Sequence, residues 1–371
     1  MATRGPGRRL LRFLTVEHVL LVTGAGASRE LGGDQNPLPL MGEWASDIVD
    51  RLERETPWGL AAILGLERNT VGEVFEHRLG RFLAWERALT TVAELSDLGE
   101  DVAAGGRPKV FEKWLNQARR SAGVVNKVVF ESLFANFGQS RVSSFAAGKA
   151  YNILLNLLGV TRGNTALTVA TTNYDFAIED AMSGLGWFPE WGQEPSTSTT
   201  GASPPIRIAN LSQATEMGRT PVLHLHGRVG WYLKDDGRLL SFSPDVVYNK
   251  DFGVPGLLLP EPDKRYEEDL HFRVMWEEFR KAIERAARIL VLGHSLNDDG
   301  LREALAPVAA NRVRVTMCVD SDEGTEPYEK EKSRILSLLP ALPPGALIRM
   351  RFGPEFVPDG TVKHVFETWR G

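Results

Sequence analysis

Short runs of aliphatic and β-branched residues recur along the chain, with helically spaced segments between them. The first run, Val19–Thr23, is stopped by a glycine, which is typical of a buried strand in a parallel sheet. Similar runs follow at Ala166–Thr171, Val222–Leu225, Ile289–Leu292, Val313–Val319 and Leu347–Phe352. Helical patterns are expected at Asp263–Ala287 and Leu301–Ala309. Strands that alternate with helices predict an α/β fold with a mostly parallel sheet and helices on both faces.

One stretch interrupts this alternation. Between Pro57 and Gly159 the sequence contains no convincing strand pattern. Amphipathic spacing instead predicts helices at Val71–Leu98, Val110–Phe137 and Phe145–Leu158. We therefore expect residues 57–159 to form an inserted helical subdomain, and residues 1–56 and 160–371 to form the domain that contains the sheet.

The composition is that of a globular protein with a full core. Of 371 residues, 43% are hydrophobic and 25% are charged, which excludes disorder and collagen-like repeats. The net charge of -5 gives no electrostatic reason to expect a nucleic acid or a membrane as partner. Arg12, Glu17 and His18 interrupt the apolar stretch near the N-terminus, so we expect no secretory leader and a cytoplasmic protein. The lone Cys318 excludes an internal disulfide and a zinc site built on paired cysteines.

A turn that contains two glycines, Gly24-Ala25-Gly26-Ala27-Ser28, directly follows the first strand. Glycines at a strand-to-helix turn let backbone N–H groups approach a diphosphate, and the next helix N-terminus adds a favourable dipole. The dehydrogenase fingerprint is incomplete, because its third glycine is replaced by an arginine and no acidic residue follows a second strand. The turn therefore favours a nucleotide but not hydride transfer. A tight turn that only requires small residues is the alternative.

A polar segment, Thr171-Thr172-Asn173-Tyr174-Asp175, lies at the carboxyl end of the first strand that follows the helical block. Ligands of open α/β sheets bind beyond the carboxyl ends of the strands, which is where this segment falls. We expect Asp175 to cap the following helix. Asn173 is then available to orient a water molecule or a ribose hydroxyl. Helix capping alone is the alternative.

Two histidines stand in His224-Leu225-His226-Gly227, at the end of another strand. Strand alternation predicts that His224 and His226 lie on the same face. A metal site on this pair would need further ligands, and the chain has seven histidines in all. A general base beside a glycine that leaves room for a substrate is the favoured interpretation, because imidazole titrates near neutrality.

The last motif, Gly293-His294-Ser295-Leu296-Asn297-Asp298, also follows a strand. It is similar to the nucleophile elbow of an α/β-hydrolase, and Asp320 and His364 follow in that family's chain order. The elbow, however, requires a glycine where Asn297 stands. The other interpretation is a phosphate or ribose contact through Gly293 and Ser295, with Asp298 capping the next helix.

In this order the four motifs, with a late strand that ends at Asp320, resemble the sirtuin-type NAD-binding domain. The resemblance spans about residues 16–56 and 160–350 and implies a Rossmann-like sheet. It implies that Asn173 and His226 act at the nicotinamide ribose. It assigns Gly24, Ala25, Gly26, Ser28, Gly293, Ser295 and Asp320 to the binding of NAD+. We expect Thr172, Asp175 and Gly227, which lie in the same motifs, to contribute to this binding site as well.

The departures from ordinary sirtuins indicate a particular branch. The sirtuin zinc ribbon needs two Cys-x-x-Cys pairs and helps to form the acyl-lysine peptide groove, whereas this chain has one cysteine. Pro37-Leu38-Pro39-Leu40-Met41 replaces the family's Pro-x-Phe-Arg, and small deacylases have no equivalent of residues 57–159. These features resemble the bacterial sirtuin-like effectors of anti-phage defence, which hydrolyse NAD+ and deplete it in infected cells.

The sequence therefore predicts a metal-independent NAD+ glycohydrolase in which Asn173 and His226 are catalytic. The resemblance implies a homo-oligomer and a separately encoded sensor or ATPase as partner. We expect the helical block to cover the site or to form a self-association surface. The alternatives are a catalytically silent module that binds NAD or ADP-ribose, then a protein deacylase or a serine hydrolase.

Overall fold

A computed structural model is the basis for the fold. It describes residues 17–29, 31, 38, 40–56, 59–67, 74–75, 77–82, 84, 88, 91, 109–138, 144–160, 165–184, 189–190, 205–206, 220–234, 239–242, 248–259, 266, 270–310, 314–319, 324–353 and 357–368.

Within these residues, seven strands form one parallel sheet. In spatial order they are β11 (Leu347–Arg349), β10 (Arg314–Val319), β9 (Arg288–Leu292), β1 (Glu17–Thr23), β2 (Thr165–Thr171), β5 (Thr220–His224) and β3 (Pro189–Glu190). The central strand is β1, in which successive residues pack on opposite faces: Val19 and Leu21 on one, Leu20 and Val22 on the other. Burial on both faces explains why the central part of the strand, Val19–Val22, is apolar. The predicted α/β fold with a mostly parallel sheet is confirmed.

Helices cover both faces of this sheet. The described helices are α1 (Ala25–Arg29), α2 (Met41–Glu55), α3 (Leu60–Ile63), α4 (Lys109–Phe137), α5 (Ser144–Leu157), α6 (Ala177–Gly184), α7 (Leu270–Arg285), α8 (Asp299–Ala310), α9 (Glu326–Leu338) and α10 (Gly360–Thr368). On one face α1, α5, α6 and α10 contribute to a single buried cluster with the sheet. On the other face α7, α8 and α9 form a second one.

Between β1 and β2 the described residues form helices that are joined by turns and irregular segments, and they include no strand, as the pattern predicted. Within it, α2 and α4 share a third hydrophobic cluster that is centred on Trp44. That cluster also contains Tyr232 and Leu257, which come much later in the chain. Helix α5 instead packs on the parallel sheet. The expected subdomain boundaries at residues 57 and 159 stay a prediction.

A second, antiparallel sheet was not predicted. Its described strands, in spatial order, are β4 (Pro205–Ile206), β7 (Leu239–Ser241), β6 (Gly227–Leu233) and β8 (Val254–Leu257). The sequence of β6 contains two glycines and an arginine, and β8 contains Pro255 and Gly256, all of which weaken a strand pattern. This small sheet begins directly after the His-Leu-His-Gly motif, at Gly227. Its residues therefore contribute to the surroundings of both histidines.

Two predicted boundaries differ from the structure. The helix expected from Asp263 begins at Leu270, and the strand expected to reach Phe352 ends at Arg349. Short 3-10 helices are present at Lys250–Phe252 and Pro344–Ala346. None of the helices that the structure describes combines the length and the apolar character needed to span a membrane.

Candidate functional site

The strand order places a topological switch point at the centre of the sheet. After β1 the chain adds β2 and β5 on one side, then returns to add β9 on the other. The carboxyl ends of these strands lie level, because Thr23 pairs with both Thr171 and Leu292, and Thr171 pairs with His224. We call this line of strand ends the carboxyl edge. In open α/β sheets, ligands bind at such a switch point.

The glycine turn after β1 is packed against the turn after β9. The N–H of Gly24 donates to the carbonyl of Leu292, and the N–H of Gly26 donates to that of Gly293, each at 2.9 Å. A Cβ on Gly24 would lie 2.6 Å from the Gly293 oxygen, and a Cβ on Gly293 would lie 2.1 Å from the nitrogen of Ala27. Glycine is therefore required at both positions. Ala25 and Gly26 are exposed at this turn.

Asn173 joins this turn to the end of β2. Its amide nitrogen Nδ2 donates to the carbonyl of Gly24 at 3.0 Å and to Oγ of Ser28 at 2.8 Å. Its backbone N–H donates to Oγ1 of Thr171 at 3.1 Å. The side-chain oxygen Oδ1 is buried and has no hydrogen-bond partner among the described residues. A buried acceptor without a donor is costly, so this oxygen can accept a hydrogen bond from a bound hydroxyl or water.

Asp175 completes what we call the Asn173 cluster: Gly24, Ser28, Asn173 and Asp175. Oγ of Ser28 donates to Oδ1 of Asp175 at 3.1 Å, and the N–H of Ala177 donates to the same oxygen at 2.9 Å. The second bond is the expected cap of α6. Burial raises the pKa of the Asp175 carboxyl to about 6. The Ser28 hydroxyl is thus held between Asn173 and Asp175, inside the protein.

Near the end of β5, His226 faces a carboxylate. Its Nε2 lies 2.9 Å from Oδ2 of Asp298, and the Tyr266 hydroxyl donates to both oxygens of Asp298 at 2.8 Å. We call these three residues the His226 cluster. The ring of Tyr174, which follows Asn173 in the sequence, lies 6.3 Å from the His226 ring, measured between ring centroids. This contact connects the two clusters along the carboxyl edge.

His224 has a different environment. Its Nε2 lies 2.6 Å from Oε1 of Glu179, which also accepts from Arg228 at 3.2 Å. Although burial favours the protonated carboxyl, His224 and Arg228 hold the pKa of Glu179 below its usual value. Glu179 belongs to α6, whereas Asp298 precedes α8, and these helices pack on opposite faces of the sheet. The expectation that both histidines share one face is therefore wrong, because β5 ends at His224 and His226 lies in a turn.

The remaining predicted positions differ in accessibility. Thr172 is half-buried, and its N–H donates to the carbonyl of Thr23. Gly227 has a φ of +76° and is approached closely by Gly256, since a Cβ would lie 2.0 Å from its oxygen. Ser295 is exposed, and its carbonyl accepts from Arg334 at 2.5 Å. Asp320 lies outside the described residues.

The hydrolase and metal interpretations gain nothing from the structure. His364 is exposed on α10, which packs on the opposite face of the sheet from the helix that follows Ser295. Among the described positions, no three His, Cys, Asp or Glu side chains are grouped as metal ligands would be.

Sequence reasoning missed the roles of four residues at the site. Asp298 was expected only as a helix cap, which it also is, because its Oδ1 accepts from the N–H of Leu301. Tyr266 carried no sequence signal, since it lies in a segment that the pattern assigned to a helix. Glu179 and Arg228 were unremarkable charged residues whose burial depends on tertiary contacts.

Residues 167–336, a little under half of the chain, match the family described as the SIR2-like domain. Over these residues the match confirms the resemblance predicted from the ordered motifs. Asn173, His226 and Ser295 lie within the matched residues, whereas the turn that begins at Gly24 precedes them.

Solved structures to which the chain is similar include Sir2 homologues, at low sequence identity. A Sir2 homologue in complex with NAD is 15% identical, with a TM-score of 0.40 over 96% of this chain and 91% of that chain. A triply substituted Sir2 homologue in complex with 2′-O-acetyl ADP ribose is 14% identical, with a TM-score of 0.34 over 91% and 98%. A singly substituted one in complex with ADP ribose is 13% identical, with a TM-score of 0.37 over 88% and 94%. None of the curated proteins compared with the chain matches it.

Proposed function

We propose that this protein is an NAD+ glycohydrolase, which cleaves NAD+ to nicotinamide and ADP-ribose. Asn173 and His226 are its catalytic residues. The residues proposed to hold the dinucleotide follow the carboxyl edge and are those named from the sequence, with Ala25 and Gly26 as the exposed backbone of the first turn. The SIR2-like domain supports a substrate of this class.

The observation that carries the proposal is the unpartnered Oδ1 of Asn173. The amide is held rigidly, because its nitrogen bonds to both Gly24 and Ser28. Its oxygen can therefore accept a hydrogen bond from a ribose hydroxyl or from the attacking water without rearrangement. Groups that are positioned in advance in this way contribute to rate through orientation and charge stabilisation.

The proposed reaction is a hydrolysis that conserves atoms and charge. The bond between C1′ of the ribose and the pyridinium nitrogen breaks, and its electron pair neutralises the nicotinamide ring. The oxygen of water bonds to C1′ and loses one proton, which His226 accepts and passes to solvent. The products are nicotinamide, ADP-ribose and one proton. The transition state resembles an oxocarbenium ion, so the protein contributes placement rather than a covalent intermediate.

The experiment is to incubate the purified protein with NAD+ and to quantify nicotinamide and ADP-ribose by chromatography. We expect equimolar release of both. Asn173→Ala should lower the rate by about 10² or more, with little loss of ADP-ribose affinity because Asn173 acts at the reacting end. EDTA should leave the rate unchanged. Binding of NAD+ without product in the unmodified protein would instead indicate a silent binding module.

We also propose that this activity serves anti-phage defence by depleting cellular NAD+. The active form is a homo-oligomer, and a separately encoded sensor or ATPase controls it. The support is the sequence resemblance, including the single cysteine and the helical block at residues 57–159. Cellular NAD+ should fall during phage infection in cells that express the protein, but not in cells that express Asn173→Ala. Mass in solution and the cleavage rate, measured over a range of protein concentrations, test the requirement for assembly. A monomer that is fully active alone would contradict it.

A further inference from the structure

The carboxylate of Asp298 is surrounded by hydrogen-bond donors. The N–H of Leu301 donates to Oδ1 at 2.9 Å, and the Tyr266 hydroxyl donates to both oxygens at 2.8 Å. Nε2 of His226 also lies 2.9 Å from Oδ2. An ionised carboxylate only accepts hydrogen bonds. It follows that Nε2 carries a proton and that, in the neutral ring, the lone pair is on Nδ1.

Tyr266 is itself held firmly beside His226. Its ring lies 4.3 Å from the Trp276 ring and 6.4 Å from the His226 ring, to which it is nearly parallel at 18°. Trp276 donates to the carbonyl of Leu225, the residue before His226. Gly300 allows this approach, because a Cβ there would lie 2.7 Å from the Tyr266 ring. Packing and a backbone bond therefore place the phenol against Asp298.

The phenol also remains a donor over the whole working pH range. Burial, and then the charge of Asp298, raise the pKa of Tyr266 far above its usual value. Tyr266 consequently keeps its proton and keeps donating to the carboxylate. A carboxylate that accepts from a phenol and a backbone N–H is stabilised in its charged form.

We propose that Asp298 and Tyr266 are positioning residues that fix the tautomer of His226. Asp298 holds the proton on Nε2, so that Nδ1 keeps the lone pair that accepts a proton in NAD+ cleavage. Tyr266 holds Asp298 in place. The role of Nδ1 as a base rests on the proposed function, whereas the tautomer itself does not.

The first test reads the tautomer directly and needs no activity. Long-range proton–nitrogen NMR spectra of protein with ¹⁵N-labelled histidine distinguish the two tautomers, and His226→Ala identifies the signals of this ring. We expect the Nε2–H form in the unmodified protein. In Asp298→Asn the amide oxygen keeps the bonds from Leu301 and Tyr266, so its nitrogen faces Nε2 as a donor. The proton should then move to Nδ1.

The second test measures catalysis. Asp298→Asn should lower kcat by about 10² to 10⁴, the typical contribution of a general base, because a base in the wrong tautomer cannot accept the proton. The affinity for ADP-ribose should be unchanged. Tyr266→Phe removes one donor and should lower kcat by about tenfold while the tautomer is retained. The matched control is Asp299→Asn, which removes an exposed carboxylate at the adjacent position and should change neither readout.

These outcomes separate the two proposals. An Nδ1–H tautomer in the unmodified protein, or an unchanged tautomer in Asp298→Asn, would overturn the positioning role. A tautomer that switches as expected, in a protein that releases no nicotinamide, supports the positioning role and rejects the glycohydrolase. If Asp298→Asn switches the tautomer but keeps the full rate, Nδ1 does not accept the proton in the reaction. That result would overturn the claim that the tautomer matters for catalysis.

Discussion

The described residues include two imidazole–carboxylate pairs whose histidines are two residues apart in the chain but whose surroundings differ. His224 is completely buried and shares Glu179 with Arg228, which also donates to Ser241 of β7. His226 lies at the carboxyl edge, where Asp298 and Tyr266 surround it. The first pair is buried beside the guanidinium of Arg228. The second faces the region where the Asn173 cluster holds an unpartnered acceptor.

This difference shows that a histidine beside a carboxylate is not in itself a catalytic signature. A fully buried ion cluster costs desolvation and can secure one arrangement of the elements around it. A similar pair at a switch point lies where ligands of open α/β sheets bind. The surroundings of each pair, rather than the pair itself, assign its role.

The sharpest test of the comparison is His226→Ala. Loss of the proposed base should lower NAD+ cleavage by about 10² to 10⁴, which corresponds to about 3 to 5.5 kcal/mol of transition-state stabilisation. The midpoint of thermal unfolding should fall less than it does in Glu179→Gln, because Asp298 keeps the bonds from Tyr266 and Leu301. Nicotinamide release and calorimetry measure the two quantities. Near-normal turnover would remove His226 from the mechanism.

The opposite result is expected for Glu179→Gln. This change leaves Arg228 and His224 buried without their negative partner, which typically costs about 3 to 5 kcal/mol of folding free energy. The midpoint of urea unfolding should fall, while kcat of the protein that remains folded should be largely retained. The control Glu55→Ala breaks a half-exposed contact to Lys127, for which less than about 1 kcal/mol is expected. Equal effects of the two changes would contradict the assignment.

Gly227 separates His226 from Arg228 and so connects the two environments. Gly227→Ala should cost about 2 to 3 kcal/mol, because it adds a collision with the Gly256 carbonyl to the unfavourable positive φ. Gly324 has a similar φ of +78° but no atom within 4 Å of its Cβ position. Gly324→Ala should therefore cost only about 1 to 2 kcal/mol. Thermal unfolding of both variants measures the difference, and equal losses would exclude the collision.

The smallest effect concerns Asp175. Its pKa is about 6 in the folded protein and about 3.9 in an unfolded chain, so between these pH values the folded state binds more protons. Ionisation of Asp175 therefore lowers stability as the pH rises from about 4 to about 6. Asp175→Asn keeps both acceptor contacts and should be more stable than the unmodified protein above pH 6, by on the order of 1 to 3 kcal/mol.

The advantage of Asp175→Asn should vanish near pH 4. Urea unfolding of both proteins at several pH values measures it. Asp251→Asn, which removes an exposed carboxylate, reports the contribution of net charge alone. A stability difference that is independent of pH would show that Asp175 is not the titrating group.

Much of the parallel sheet could be predicted from the sequence, because strands that are buried on both faces contain uninterrupted apolar runs, as in Val19–Val22 of β1 and Ile289–Leu292 of β9. The positions of Gly24, Asn173 and His226 at one edge followed from the rule that parallel strands end together. The antiparallel sheet was missed because Arg228 and two glycines stand in its longest strand, and the burial of Arg228 depends on tertiary contacts such as those with Glu179 and Ser241. Tyr266 could not be predicted either, since its role depends on contacts with residues distant in the chain, above all Asp298 and Trp276.

The central position of β1 has a consequence for biosynthesis. This strand is made before both of its neighbours: β2 begins roughly 140 residues later and β9 roughly 265 residues later. At a translation rate of about 5–20 residues per second, β1 waits about 7 to 30 seconds for β2 and about 13 to 50 seconds for β9. During that interval an apolar segment with two unpaired edges has left the ribosome. A chaperone that shields Leu20-Leu21-Val22 would therefore raise the yield of folded protein, whereas a fragment limited to residues 167–336 would lack the strand that holds its two halves together.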